Sequence, residues 1–445
     1  MRRAPCIALV IIPSVQKFSS HTSSELARAL VLMRFDASVR HERREDSQQK
    51  RSRRNSVWHS ARISLTIEVN QHPTMNTMSI SRRKFAHLLG AGAAAAFVRP
   101  AFSSAKLSEH IGATGGVVRL SANENPYGPS PKALKAMTDS FGLACRYPDE
   151  HNNVLIDRLA RLNGVNHDQI LLGDGSSEIL KLCAETFTGK ERGNLVAADP
   201  TFESILEQAK INGAEVVKVP LTPTFAHDLP RMIAAAKGGL IYVCNPNNPT
   251  ASITPKDQLR DFITNTPRET MILVDEAYFH YADSPEHESV VPLVKDNPNL
   301  IVARTFSKVY GMAGLRCGYC VAQKETLERM RPYQMWDSVN IMALAAASAS
   351  LDDPDQVSNG QRLNTEAKMF VISELARAGY KTIPSQANFI MVDCRRPVVP
   401  LIKAMKEQNV HVGRLFPALP NHMRVTIGKK PEMETFVSAF KQVAA

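Results

Sequence analysis

Arg304-Thr-Phe-Ser-Lys308-Val-Tyr-Gly-Met-Ala-Gly-Leu-Arg316-Cys-Gly-Tyr319 sets one lysine among hydroxyls, with an arginine eight residues further on. An amine that must attack an aldehyde has to be unprotonated, and cationic neighbours with partial desolvation lower a lysine pKa far enough for that. The hydroxyls of Thr305 and Ser307, with the guanidinium of Arg316, can hold a phosphate dianion by charge-assisted hydrogen bonds. The stretch therefore has the chemistry of a lysine that condenses with an aldehyde carrying a phosphate. Ser-Lys alone would read as a surface lysine after a strand, so the weight rests on the neighbours.

Around this stretch, strand candidates are Gln169 to Leu172, Asn194 to Ala197, Glu215 to Val219, Leu240 to Cys244, Met271 to Asp275, Leu300 to Ala303 and Gly318 to Ala322. Helical patterns separate most of them, including Ser176 to Thr186, Phe202 to Asn212 and Pro255 to Asn265. Near-continuous apolar strands alternating with helices predict an α/β fold with a large, mostly parallel seven-stranded sheet covered on both faces. Ligands of such sheets gather at the carboxyl ends of the strands. Ahead of the sheet, Leu120-Ser-Ala-Asn-Glu-Asn-Pro-Tyr127-Gly-Pro129 is too rich in Pro, Asn and Gly for regular structure. A helix from Pro131 to Phe141 follows, with Ser130 as N-cap and Pro131 in its first position. Beyond Tyr319 the pattern predicts a long helical region, Glu325 to Leu351, a second helix, Asp355 to Gly379, and strands Phe389 to Val392 and Arg424 to Ile427.

Other residues at the predicted strand ends carry chemistry. Gly173-Asp-Gly175-Ser176-Ser177-Glu178 opens a helix, so its amide N–H groups and the helix dipole favour an anion, a phosphate above all. Phe202, after the next strand, can stack on a pyridine ring or serve as a core residue at a helix start. Asn245-Pro-Asn-Asn248-Pro-Thr250 ends another strand. Asp275 closes a buried strand and needs a cationic partner, either a protonated pyridine nitrogen or a structural arginine. Tyr278, three residues on, can tune the same ring.

In this order the motifs resemble those of the pyridoxal-phosphate (PLP) aminotransferases of class I/II and fold-type I, specifically the histidinol-phosphate aminotransferase-like group, whose pattern S-K-x-x-G/A-x-A-G-L-R-x-G-Y runs from Ser307 to Tyr319. The resemblance extends from about Leu120 to Ile427. It implies that Lys308 holds PLP and moves protons in catalysis, aided by Asp275 at the ring nitrogen and Tyr278 at the phenolic oxygen. Gly175, Ser176, Ser177, Thr305, Ser307 and Arg316 would bind the phosphate, Phe202 would stack on the ring, and Asn248 would donate to the phenolic oxygen. Ala251 stands where the group has Gly, which fits a loop that avoids positive φ here. Tyr147 matches a tyrosine that reaches the cofactor of a neighbouring subunit, implying a homodimer. Tyr127, Arg414 and Arg424 fall at substrate positions, the two arginines suiting a phosphate or a carboxylate. The implied activity moves an amino group from histidinol phosphate, or from an aromatic or other amino acid, to a 2-oxo acid such as 2-oxoglutarate. Two alternatives share the scaffold: a PLP-dependent decarboxylase of the threonine-phosphate type, and a PLP-sensing transcription regulator.

The chain has 445 residues, 54 Lys and Arg against 43 Asp and Glu. The excess lies in front: residues 1–75 hold 13 basic against 6 acidic side chains, residues 76–105 hold 4 against none, and the rest hold 37 of each. A neutral main body gives no electrostatic reason to expect nucleic acid or an anionic membrane as partner. Cys317 and Cys320 form the one C-x-x-C, in an apolar run without nearby His, so they read as core residues of a strand and no metal is expected. Ser81-Arg82-Arg83-Lys84-Phe85, with the small apolar run to Val98 and Ser103-Ser104-Ala105, resembles a twin-arginine export signal. Since such signals start a protein, translation is expected to begin at Met75 or Met78, with residues 1–74 poorly ordered or an over-extended start. The expected organisation is then a signal at 75–105, an N-terminal arm at 106–145, a large PLP-binding domain at 146–330 and a small C-terminal domain at 331–445. The location expected is periplasmic or exported if the export machinery takes the signal, otherwise cytoplasmic.

Overall fold

The computed structural model describes residues 116–444, which fall within one compact unit, Phe102–Ala445. The twin-arginine stretch and the predicted character of residues 1–74 lie outside the described residues.

Twelve strands are described: β1 (Val118–Leu120), β2 (Ile170–Gly173), β3 (Leu195–Asp199), β4 (Val216–Pro220), β5 (Leu240–Cys244), β6 (Met271–Asp275), β7 (Leu300–Thr305), β8 (Gly318–Val321), β9 (Lys381–Thr382), β10 (Phe389–Asp393), β11 (Val410–Val412) and β12 (His422–Thr426). Seven of them form the large sheet, in the order β2-β8-β7-β6-β5-β3-β4. The sheet is parallel except at β8, which runs antiparallel to both β7 and β2. All seven match strands predicted from apolar runs, to within a residue or two.

Alternation along these strands feeds two cores. On β5, Ile241 and Val243 enter one cluster while Leu240, Tyr242 and Cys244 enter the other. On β6, Ile272 and Val274 face the first, Met271 and Leu273 the second. Period-two packing on both faces leaves no solvent side, which is why these strands read as unbroken apolar runs. The C-x-x-C cysteines divide the same way, Cys317 into the first core and Cys320 into the second, both fully buried.

A second sheet, β12-β10-β9, with the β1-β11 pair and the helices Pro354–Arg377, Val398–Glu407 and Lys430–Ala444, encloses its own core around Val371, Ile390, Met423 and Phe436. Position 331 does not divide the cores. The helix Ile341–Leu351 lies beyond it yet sends Ala343, Leu344, Ala346 and Ala347 into the first cluster of the large sheet.

Two local expectations need correction. The predicted helical region from Glu325 to Leu351 is two helices, Lys324–Met330 and Ile341–Leu351, separated by a 3-10 turn, Arg331–Tyr333, and a connecting segment. Pro332 has no N–H to continue the first helix, and Asn340 caps the second by accepting from the Ala343 amide. The Asn/Pro loop does not avoid positive φ either: Ala251 sits at φ +58° with its methyl fully buried, so the methyl's packing offsets a backbone conformation that costs an L-residue about 1–2 kcal/mol. The helix after the first loop conforms, Pro131–Asp139 with the Ser130 hydroxyl accepting from Ala133.

Candidate active site

The carboxyl ends of the strands meet the second sheet at a cavity of about 210 Å³. Lining it are Ser176 and Ser177 after β2, Phe202 after β3, Cys244 at the end of β5 and Asn248 after it, Asp275 at the end of β6 and Tyr278 after it, and Thr305 at the end of β7 with Ser307, Lys308 and Arg316 beyond it. Ala122, Asn123 and Arg424 close it from the other side. Eleven of the predicted site residues therefore converge on one space.

Lys308 is half-buried and donates to the Asn123 carbonyl at 3.2 Å. Burial, reinforced by the charge of Arg424, lowers its pKa to about 8, against the opposing pull of Asp275. At neutral pH a useful fraction of this amine is free to attack a carbonyl, as the sequence requires.

Asp275 is 3 % exposed at the end of β6. One oxygen accepts from the Tyr242 hydroxyl at 2.9 Å and the other from the Ala277 amide at 3.0 Å. Burial nonetheless raises its pKa to about 6, so the carboxylate is short of a positive partner. Beside it, the Tyr278 hydroxyl accepts from Asn123 Nδ2 at 3.0 Å and Asn248 Nδ2 at 3.5 Å.

The anion site is built from backbone and side chains together. Helix Gly175–Phe187 starts with no side-chain cap, leaving its first N–H groups for a ligand. Gly175 sits at φ +69°, where a Cβ would collide with the Arg316 guanidinium, and a Cβ on Gly318 would collide with the Ser176 amide. These two glycines let strand β8 and the helix start close around Arg316. Its guanidinium donates only to neutral groups, the carbonyls of Ala313 (3.0 Å) and Asp174 (3.2 Å) and the Ser177 hydroxyl (3.4 Å). Thr305 Oγ1 and Ser307 Oγ are 2.9 Å apart. An uncapped helix end, hydroxyls and an unmatched guanidinium suit a phosphate dianion. With an unpaired carboxylate and a part-neutral lysine in the same cavity, the donor set fits pyridoxal phosphate.

Arg424 enters from β12, stacked between Phe389 (5.7 Å to the ring centroid) and Phe416 (5.1 Å). It donates to Asn248 Oδ1 at 2.6 Å and to the Ser121 carbonyl at 2.7 Å, and its Nε has no partner.

Four predicted residues stay off the cavity wall, among them Gly175, which shapes the helix start behind it. Tyr127 is 41 % exposed, its ring under the Lys429 ammonium at 5.7 Å. Arg414 lies outside, paired with Glu203. Tyr147 is 82 % exposed in a surface hollow shared with Trp336 and Ile341. Conversely, sequence reasoning missed Asn123 and Tyr242. Asn123, in the left-handed region at φ +54°, holds Tyr278 by its side chain and Lys308 by its carbonyl. A signal was available in its place among the Asn, Pro and Gly residues of the first loop. Tyr242 gave none, because its reach to Asp275 depends on the β5–β6 register, which pairs Cys244 with Asp275.

The family profile described as aminotransferase class I and II matches residues 115–440. A histidinol-phosphate aminotransferase of Moorella thermoacetica is 36 % identical over 334 residues, 74 % of this chain and 86 % of that protein. Among solved structures, a putative histidinol-phosphate aminotransferase from Erwinia carotovora atroseptica superposes with a TM-score of 0.71 at 31 % identity, covering 73 % of this chain and 95 % of that one. The Sinorhizobium meliloti histidinol-phosphate aminotransferase, in complex with pyridoxal-5'-phosphate, gives 0.68 at 27 % identity, covering 74 % and 90 %.

Proposed function

The chain belongs to the aminotransferase class I and II family, and from that premise we propose how its cavity carries out PLP-dependent amino transfer and on what substrates. The reaction moves an amino group from histidinol phosphate, or from an aromatic or other amino acid, to a 2-oxo acid such as 2-oxoglutarate. The observation that carries this reading is the meeting, in one cavity, of a lysine with a depressed pKa, a buried carboxylate lacking a cation, and an anion site.

Bound PLP supplies the aldehyde carbon that takes the amine and a ring that accepts the electron pair left by the departing α-proton. Asp275 would hold the ring nitrogen protonated. Ser176, Ser177, Thr305, Ser307 and Arg316 would anchor the phosphate. Tyr278, steadied by Asn123 and Asn248, presents its hydroxyl to the phenolic oxygen. The Lys308 amine lifts the proton from the donor's α-carbon and returns it as acid. Arg424 presents its guanidinium to an anionic group of the donor.

The exposed pair Tyr147 (82 %) and Trp336 (91 %) supports assembly with a second copy as a homodimer. The twin-arginine-like stretch at 81–85 supports a periplasmic or exported location. Incubating the PLP-loaded protein with each donor and 2-oxoglutarate tests the reaction. Matched formation of oxo product and glutamate is expected; carbon dioxide release without need of a 2-oxo acid would instead identify a decarboxylase.

A further inference from the structure

The ring of Phe416 lies under two guanidinium groups, Arg424 at 5.1 Å and Arg414 at 4.4 Å from its centroid. Each cation therefore feels the other, and Arg414 contributes to lowering the pKa of Arg424, after burial. Their partners differ in charge. Arg424 donates to the neutral Asn248 side chain and the Ser121 carbonyl, and among the described residues no carboxylate pairs with it. Arg414 is ion-paired with Glu203 and donates to the Leu415 carbonyl at 2.9 Å. Glu203 directly follows Phe202, which lines the cavity, and sits at the start of helix Ser204–Ile211. Of the two arginines, only Arg424 keeps its charge unmatched.

We propose that Glu203 is a specificity-determining residue: by matching Arg414 it restricts the amino donor to amino acids with one carboxylate and an uncharged side chain, against phosphate monoesters and dicarboxylates. This rests on the transaminase reading above. A monocarboxylate needs one cation, which Arg424 supplies. A phosphate dianion or a second carboxylate must win Arg414 from Glu203 and then lie beside the displaced carboxylate, where like charges repel. Specificity thus comes from a repulsive element placed next to an attractive one.

The test is the first half-reaction of the PLP-loaded enzyme, without acceptor, on phenylalanine, glutamate and histidinol phosphate, followed by the change in cofactor absorbance and by oxo product. The wild type should favour phenylalanine. Glu203→Gln should raise the second-order rate constants for histidinol phosphate and glutamate about tenfold relative to phenylalanine, Glu203→Asp should keep the wild-type ratio, and adding Arg414→Gln to Glu203→Gln should cancel the gain. A wild type that favours histidinol phosphate, or a Glu203→Gln ratio within about twofold of the wild type, overturns the proposal while leaving the transaminase reading standing. If a protein with normal cofactor absorbance reacts with none of the three donors, the transaminase reading itself fails and the proposal with it.

Discussion

Two arginine–glutamate pairs adjoin residues of the cavity wall, one buried and one exposed. In the buried pair, the floor, which neighbours Asp275 and Thr305 in the chain, Arg304 and Glu276 are 2.8 Å apart with side chains 8 % and 2 % exposed, and every remaining polar atom is engaged: Arg304 by Ser289 and Asn163, Glu276 by the Val290 amide. In the exposed pair, the mouth, Glu203 follows Phe202, and Arg414 and Glu203 are 55 % and 39 % exposed. The floor pair sits on β7 and on the residue after β6, where it braces the backbone that carries Asp275, Lys308 and their neighbours. The mouth pair joins a helix start to a loop before β12 and braces nothing in the core. What must be held to a fraction of an ångström is buried and over-determined; what chooses among substrates is left where water and ligand reach it.

The contrast gives predictions, beginning with the largest. Lys308→Ala should lower turnover at least about 10³-fold, with loss of the lysine-linked cofactor absorbance; retained transfer would remove the floor from the chemistry. Glu276→Gln leaves Arg304 buried without its counter-charge and should cost about 3–5 kcal/mol in denaturant unfolding, whereas Glu203→Gln should cost under about 1 kcal/mol. Equal losses would break the comparison between the two pairs. Arg424→Gln should reduce kcat/KM for a carboxylate donor about 100-fold.

The same Arg424 substitution sharpens the link between mouth and floor through pH. If Lys308 attaches the cofactor it does so as the free amine, so attachment to the apo-protein should speed up with pH until about 8, its lowered pKa, and then level off. Arg424 is one of the cations that lower that pKa, so its removal should move the midpoint upward. A midpoint that stays put, or falls, would separate the two electrostatically. A modest effect belongs to Tyr242→Phe. Losing one of the two donors to Asp275 should raise that carboxyl's pKa above about 6 and weaken cofactor binding about tenfold.

The floor is also the part that could be read from the sequence. Asp275, Lys308 and Arg316 belong to contiguous motifs at the ends of apolar runs, and the sheet's two-sided burial makes those runs conspicuous. Direction was less visible, since the antiparallel course of β8 follows from the short return after Arg316 rather than from its composition. The break near Pro332 was hidden because the helical pattern resumes in phase with the large core at Ala343 and Leu344. At Ala251, burial of a methyl outweighs the backbone preference that local reasoning applies. Tyr242 and Asn123 act across strands and loops, and Glu203 neutralises Arg414 from 211 positions away. Such pairings exist only once the chain is folded.

The half-reaction tests the account at its centre. PLP-loaded protein, given phenylalanine and no acceptor, should lose its lysine-linked absorbance and yield one equivalent of oxo acid per subunit, without carbon dioxide, and a 2-oxo acid should then restore the absorbance. Carbon dioxide release, or an absorbance that no donor perturbs, would contradict it.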